Sequence, residues 1–209
     1  QISTAQSKFG GSSLYFDGNG DYVTPTAAAE NFAFAGDFTW EMWIRPSSVN
    51  TRMLIDFRSG SDASAFGCVY VTPASIRYAT FGVDRITGSS LSVDTWYHVA
   101  LCRSGSSTKL FVDGTQVGTT YTDSTAYGAA TPKIGTAHNG SAAAYVGYMD
   151  EIRISKGLAR YTANFTPPTA PHPDPPAIKL PTAVANTNRY TVKCVGPQTV
   201  LLSNGNGQL

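Results

Sequence analysis

Short segments of β-strand character, separated by turn-forming residues, follow one another along most of this chain and restrict the folds open to it. The clearest is DFTWEMWIRP at 37–46, in which Phe38, Trp40, Met42 and Ile44 alternate with mostly polar residues. Alternation with period two is typical of a strand that buries one face. Strands are predicted at 12–16, 21–24, 37–46, 52–58, 65–71, 75–81, 96–103, 109–112, 115–117, 133–136 and 145–154, and one helical turn at 157–161.

Many short strands without strand–helix alternation predict an all-β fold, an antiparallel two-sheet β-sandwich or jelly roll. The composition agrees, since charged residues make up only 14% of the 209 residues and Glu occurs three times. A formal net charge of +1 argues against a nucleic-acid partner bound through its phosphates. The sequence contains no apolar run of about 18 residues, so it predicts no membrane-spanning segment.

The composition changes near residue 166, where six prolines fall within the eleven residues 166–176. Such a segment favours an extended, semi-rigid spacer. The sequence therefore predicts a sandwich at 1–166, a Pro-rich linker at 167–182 and a short β-rich C-terminal arm at 183–209. Because so short an arm cannot bury a core of its own, we expect it to pair with another chain or dock on the main domain.

Catalytic motifs are missing from the sequence. A glycosidase needs two carboxyl groups about 5–9 Å apart, and the three Glu residues are not spaced to supply such a pair on one strand. Asp150 and Glu151 are neighbours, so a strand would point them to opposite faces. There is no Gly-x-Ser-x-Gly elbow and no phosphate-binding loop. We therefore expect a protein that is not an enzyme.

Ligand binding on a sandwich commonly uses loop aromatics, which stack on sugar rings, together with Asn or Asp groups that bind hydroxyls. Each candidate residue has an ordinary alternative, which is packing in the core or at its rim. The candidates for ligand binding are Tyr78, Phe81, Tyr121, Tyr127, His138, Asn139 and Tyr145.

Calcium is the one metal that the sequence brings into consideration. Asp17, Asn19 and Asp21 alternate with glycines like the start of an EF-hand loop, but Ala28 stands where the loop needs Glu. A loop-held calcium ion and a simple Asx-rich turn both remain open. The three cysteines match no zinc motif, and a Cys68–Cys102 bridge requires their strands to be neighbours.

Five segments, taken together, are familiar from a known family. The segments are FGGSSLYFDGNGDYV at 9–23, FTWEMWIRP at Phe38–Pro46, WYHVALCRS at 96–104, LFVDGTQVG at 110–118 and GYMDEIRISKGLAR at 147–160. They resemble the laminin-G-like, concanavalin A-like lectin/glucanase superfamily. The resemblance covers about residues 1–170, and the closing phrase at 154–168 is most similar to the variety found in bacteriophage virion proteins.

The resemblance implies a jelly roll of about a dozen strands that binds or scaffolds rather than catalyses. It also implies one structural calcium ion, for which Asp17 and Asp150 are the best ligand candidates. Relatives usually begin with a further strand, so here residues 1–8 or another chain must supply it. The resulting sheet edge is suited to strand addition by a partner.

The leading hypothesis is a non-catalytic structural protein of a bacteriophage virion, in a tail fibre or on the capsid, serving attachment to a cell-surface glycan or decoration of the particle. The arm implies a homo-oligomer, for which a trimer is plausible, and neighbouring virion proteins as partners. The alternative is a carbohydrate-binding accessory module of a secreted bacterial glycoside hydrolase. An active glycoside hydrolase is a third reading, which requires two facing carboxylates.

Overall fold

The computed structural model describes residues 1–60, 66–140 and 142–173. The chain divides into two compact units, Gln1–Pro171 and His172–Leu209. The predicted arm at 183–209 and the third cysteine, Cys194, lie outside the described residues, as does most of the predicted linker. In the described ranges no helix has the length and apolar character needed to cross a membrane.

The described residues of Gln1–Pro171 form twelve strands and one turn of 3-10 helix at Ala29–Phe32. The strands are β1 Ile2–Ser3, β2 Ser13–Asp17, β3 Phe38–Pro46, β4 Arg52–Asp56, β5 Cys68–Thr72, β6 Ser75–Thr80, β7 Val83–Thr87, β8 Tyr97–Ser104, β9 Ser107–Val112, β10 Thr115–Thr122, β11 Lys133–Ile134 and β12 Val146–Lys156.

The strands form two antiparallel sheets. One has seven strands in the order β1-β2-β12-β3-β8-β9-β10, and the other has five in the order β11-β4-β5-β6-β7. The predicted all-β, two-sheet antiparallel sandwich is therefore confirmed. The missing first strand is supplied from within the chain, because β1 pairs with β2 with Ile2 opposite Leu14.

The main core lies between the sheets, where β3 contributes the side chains that its alternation predicts. Phe38, Trp40, Met42 and Ile44 are each no more than 2% exposed. Trp40 stacks on Phe57, with ring centroids 4.3 Å apart. Fully burying an aromatic or aliphatic side chain of this size stabilises a fold by roughly 1.5–3 kcal/mol.

The other face of β3 is buried as well, because residues 157–165, here called the strap, cross the outer face of the seven-stranded sheet. Tyr161 and Phe165 stack on each other with centroids 3.5 Å apart. Thr39 Oγ1 donates to the Leu158 carbonyl and accepts from Arg160 N–H. The predicted helical turn at 157–161 is therefore wrong. The Thr39 side chain of the sheet hydrogen-bonds the backbone groups of Leu158 and Arg160, so these groups are not bonded within a helical turn.

Under the strap lies a buried carboxylate, Glu41, whose side chain is fully enclosed. Arg153 Nε donates to Oε1 at 2.7 Å, and Tyr161 Oη donates to Oε2 at 2.9 Å. Arg160 Nε lies 3.5 Å from Oε1, and His98 Nε2 lies 3.3 Å from Oε2. The carboxylate thus ties β3 to β8, β12 and the strap.

The N-terminal segment is held against the same sheet by Asp150. Its Oδ2 accepts hydrogen bonds from the backbone N–H groups of Lys8 at 2.8 Å and Phe9 at 3.2 Å. The Lys8 ammonium lies 3.8 Å from the centroid of the Trp43 ring, in cation–π geometry. One carboxylate of β12 therefore holds Lys8 and Phe9 of the N-terminal segment against the sheet.

Three further sequence expectations need correction. The strand at 21–24 is only an isolated bridge between Val23 and Ile134, and β7 was not predicted at all. The Cys68–Cys102 bridge is excluded because the two thiols lie on strands of different sheets, and neither forms a disulfide. Burial raises the pKa of the Cys102 thiol to about 11.

Replacing Glu41 by Gln tests the buried carboxylate. Burial alone would raise its pKa, but the neighbouring His98 ring nitrogen and the hydrogen bond from Arg153 outweigh burial and lower the pKa to about 2. A lowered pKa contributes stability above about pH 4.5 that is lost as the pH falls toward 2, here on the order of 3 kcal/mol. We expect Glu41→Gln to lower the free energy of unfolding at pH 7. The variant should also lack the decrease in stability that wild type shows as the pH falls. Urea titration at pH 7 and pH 3 measures both effects. Glu30→Gln, at an exposed site, should match wild type; equal pH profiles for Glu41→Gln and wild type would contradict the assignment.

Replacing Asp150 by Asn tests the anchoring of the N-terminal segment. Asparagine carries no negative charge and has one acceptor oxygen for the three N–H groups of Lys8, Phe9 and Glu151. We therefore expect hydrogen exchange at the Lys8 and Phe9 amides to speed up about tenfold or more. Asp17→Asn is the matched control, because its single amide partner, Asn19 N–H, can still be bound by Oδ1 of asparagine. Unchanged protection in Asp150→Asn would show that the segment is held by its other contacts.

Candidate functional site

Three of the predicted ligand residues, Tyr78, Tyr127 and Tyr145, are core residues and not surface platforms. They are 0%, 3% and 0% exposed, respectively, so the expectation that they offer a ring to a ligand is corrected. The phenols of Tyr78 and Tyr127 lie 3.2 Å apart, and Tyr127 Oη donates to Asp123. Burial raises the pKa of Tyr78 and of Tyr145 well above the ordinary value for tyrosine.

The remaining candidates fall in two places. His138 and Asn139 lie in the loop that follows β11, and Asn139 is exposed. Tyr121 lies on β10, and Phe81, 44% exposed, lies at the turn between β6 and β7. The structure therefore does not bring all the predicted residues into one site.

The loop after β11 is fixed by a buried carboxylate, Asp56 at the end of β4, which is 1% exposed. Its Oδ2 accepts from His138 N–H at 2.8 Å, and the His138 ring nitrogen Nδ1 lies 3.8 Å away. Arg58 forms two further hydrogen bonds with the same carboxylate, from Nε at 2.9 Å and from a terminal nitrogen at 2.6 Å. Asp56 thereby positions the loop without facing solvent itself.

Beside this loop stands an exposed aromatic residue that the sequence reasoning missed, Tyr22, which is 47% exposed. Lys133 Nζ lies 4.5 Å from the centroid of its ring. A Cβ built on Gly140 would lie 3.9 Å from Tyr22 Cε1 and 3.3 Å from Lys133 Nζ, so the loop adjoins both side chains. Tyr22, Lys133, His138, Asn139 and Gly140 are called the Tyr22 patch below.

The Tyr22 patch has the composition of a sugar-binding surface. An aromatic face offers an apolar plane to the C–H groups of a sugar ring, and neighbouring donors and acceptors bind its hydroxyls. The sequence signal for Tyr22 was its place directly after the Asp17–Asp21 turn. It was missed because residues 21–24 were interpreted as a strand.

A small cleft lies beside the strap and has a volume of about 180 Å³. This volume is below the roughly 300–1,000 Å³ of typical ligand pockets. Lys109 Nζ donates to the Thr162 carbonyl at 2.6 Å across it, and the Cys102 thiol in its wall stays protonated at neutral pH because burial raises its pKa to about 11. This cleft therefore offers neither the space nor the reactivity of a functional site.

The predicted calcium ligands do not converge on one site. Val146 is opposite Asp17 in the register of β12 and β2, so Asp150 is four positions away, roughly 13 Å along the strand. Asp150 accepts from three backbone N–H groups, and Asp17 Oδ1 accepts from Asn19 N–H. Among the described residues no cluster of three or more His, Cys, Asp or Glu is arranged to hold a metal ion.

Comparison with known proteins identifies the fold family. A family model described as the concanavalin A-like lectin/glucanases superfamily, of the laminin G type, matches residues 17–159. No curated protein matches the sequence at a significant level.

Solved structures agree on the fold. Domain 4 of an extracellular arabinanase from Geobacillus stearothermophilus, in complex with arabinotriose, superposes with a TM-score of 0.58 at 15% identity, over 76% of this chain and 77% of that one. Domains LG4–5 of the mouse laminin α1 chain give 0.54 at 16% identity, over 77% of this chain but only 46% of that one. A heptameric pentraxin from Limulus polyphemus gives 0.51 at 15% identity, over 67% and 73%. At these identities the likeness shows the fold alone, and with the family match it leads to one conclusion: the chain belongs to the laminin G type of the concanavalin A-like lectin/glucanase superfamily.

Proposed function

We propose that this protein is a non-catalytic, lectin-like recognition protein of a bacteriophage virion, which binds a cell-surface glycan through the Tyr22 patch. The observation that carries the proposal is the exposed Tyr22 ring beside Lys133 and the loop fixed by Asp56. A rigid loop next to an exposed ring holds the binding groups in place before the ligand arrives, which lowers the entropic cost of binding.

The state of the buried carboxylates supports a non-catalytic role. Glu41, Asp56 and Asp123 are each enclosed and accept hydrogen bonds from protein donors. A glycosidase instead presents two carboxyl groups to the scissile bond. Their enclosure fits structural carboxylates, which organise the strap, the loop after β11 and the core rim.

The placement on a virion is supported by the sequence of the strap and the residues that flank it. The phrase at 154–168 is most similar to the phage variety of the family, and in this fold it closes the outer face of the seven-stranded sheet. A location in the tail fibre or on the capsid, with oligomerisation through the C-terminal arm and contacts to neighbouring virion proteins, is part of the proposal.

The second candidate function is a carbohydrate-binding accessory module of a secreted bacterial glycoside hydrolase. The observation that favours it is the likeness to the arabinanase domain, which extends over 77% of that domain. Both candidates share glycan binding and differ in the protein or particle that bears the module.

Truncating the Tyr22 ring tests glycan binding. We expect Tyr22→Ala to weaken binding about tenfold or more, because loss of a ring that stacks on the ligand removes contact area and orientation. Isothermal titration calorimetry of the full chain with arabinotriose, and with oligosaccharides released from bacterial lipopolysaccharide, measures the change. Binding of the lipopolysaccharide sugars favours host attachment, and binding of arabinotriose alone favours the accessory module.

Two variants control this experiment. Tyr22→Phe keeps the ring and should bind within about twofold of wild type, and Val93→Ala changes an apolar side chain of similar exposure, 44%, at another site. Equal losses in Tyr22→Ala and Val93→Ala would remove the Tyr22 patch as the binding surface. If the protein binds no glycan on a broad array, the proposal that its ligand is a glycan is wrong.

The virion placement has its own test. Peptide mass spectrometry of purified phage particles should recover this chain in a fixed copy number per particle. Recovery only from culture supernatant, joined to a hydrolase domain, would overturn the virion proposal and leave the accessory module.

One structural calcium ion is the remaining expectation from the family resemblance. If a calcium ion binds the native state, EDTA should lower the thermal midpoint by mass action, and added calcium should restore it. A thermal midpoint that EDTA leaves unchanged would show that the native state binds no structural calcium ion.

A further inference from the structure

The edge strands of the two sheets, β7 and β10, meet along one side of the sandwich. A Cβ built on Gly118 of β10 would lie 2.7 Å from the Thr87 carbonyl oxygen of β7, so only glycine allows this approach. Gly118 also adopts φ of +64°, which favours glycine independently. The line along which the two strands meet is called the seam below.

A β-bulge places Arg85 at the seam. In the register of β6 and β7, Tyr78 is opposite Ile86 and Ala79 is opposite Asp84, so Arg85 has no partner residue. Bulges redirect a side chain and are frequent beside binding sites. The Arg85 Nε donates to Thr80 Oγ1 at 3.1 Å, toward the side of the sheet that faces the core.

The guanidinium of Arg85 also lies over the ring of Tyr121 on β10, 5.2 Å from its centroid. The hydrogen bond and the cation–π contact hold the guanidinium from two sides. Arginine held in this way presents its terminal N–H groups as a planar fork, which matches the two oxygens of a carboxylate.

No carboxylate of the described residues pairs with this arginine. The nearest in sequence, Asp84, is bound by Arg77 at 2.6 Å and by the Tyr70 hydroxyl on the outer face of the five-stranded sheet. Arg85 therefore retains its charge and two terminal nitrogens for an external anion.

Two exposed apolar side chains lie on the same β6–β7 hairpin as the arginine. Val83, directly opposite Thr80 in the register, is 50% exposed, and Phe81 at the hairpin tip is 44% exposed. Phe81 and Gly82 have φ of +53° and +71°, as the two-residue hairpin turn between Thr80 and Val83 requires. The Phe81 ring therefore stands at the tip of this hairpin.

From these contacts we infer that the seam holds a second binding site, which takes a carboxylate-bearing sugar such as a uronic acid. Arg85 binds the carboxylate through its terminal N–H groups, and the apolar side chains of Phe81 and Val83 contact the sugar ring. The hydroxyl of Thr119, exposed on β10, is available to the sugar hydroxyls, whereas Thr120 Oγ1 accepts from Gln116 Nε2. The site is separate from the Tyr22 patch and does not depend on it.

The test uses the full chain with trigalacturonate as the probe and its methyl ester as a ligand of the same rings without charge. We expect wild type to bind the acid at least tenfold more tightly than the ester, with affinity that falls as salt rises. Arg85→Gln should weaken binding of the acid about tenfold or more and leave binding of the ester unchanged. Arg77→Gln, on the neighbouring strand and already paired with Asp84, is the matched control and should behave as wild type.

The outcomes separate the alternatives. Equal affinity for acid and ester, equal losses in Arg85→Gln and Arg77→Gln, or no binding of trigalacturonate at 10 mM would each overturn the assignment. Equal binding of poly-glutamate would show a general carboxylate surface and overturn the sugar assignment. Tyr22→Ala should retain wild-type binding of trigalacturonate, so failure of the glycan proposal at Tyr22 leaves this test intact.

Discussion

The buried carboxylate of Glu41 is the interaction on which the arrangement of the seven-stranded sheet depends. It lies on β3, whose opposite face forms the centre of the core, so the strand is enclosed on both sides. Enclosing a carboxylate is costly unless donors surround it. Arg153 and Tyr161 supply them from β12 and the strap, and the His98 ring nitrogen of β8 lies 3.3 Å away. The buried Glu41 carboxylate therefore has all its donors only when the strap is in place.

Much of the sandwich could be predicted from the sequence because strand alternation and turn residues act locally. The turn at Asp113–Gly114 was recognised from its residue types, and its φ values of +48° and +75° are those of the predicted hairpin turn. The strap was not recognised, because residues 157–161 take their conformation from Thr39, which lies far away in the sequence. Tertiary contacts here override the local preference.

The candidate sites were harder to predict for a related reason. Aromatic residues on strands of a sandwich look alike in the sequence, whether they face the core or the solvent. Tyr78 and Tyr127 face inward, while Tyr22, beside the isolated bridge of Val23 and Ile134, is exposed. The register of neighbouring strands decides between the two outcomes, and a single sequence does not contain that register.

The position of β12 between β2 and β3 has a consequence for the order of folding. These two strands are close in sequence but do not pair, because Val146–Lys156 lies between them. The seven-stranded sheet can close only after residues from the far end of the domain have been synthesised. Contacts of such large sequence separation slow folding, and until they form the growing chain presents open strand edges to its neighbours.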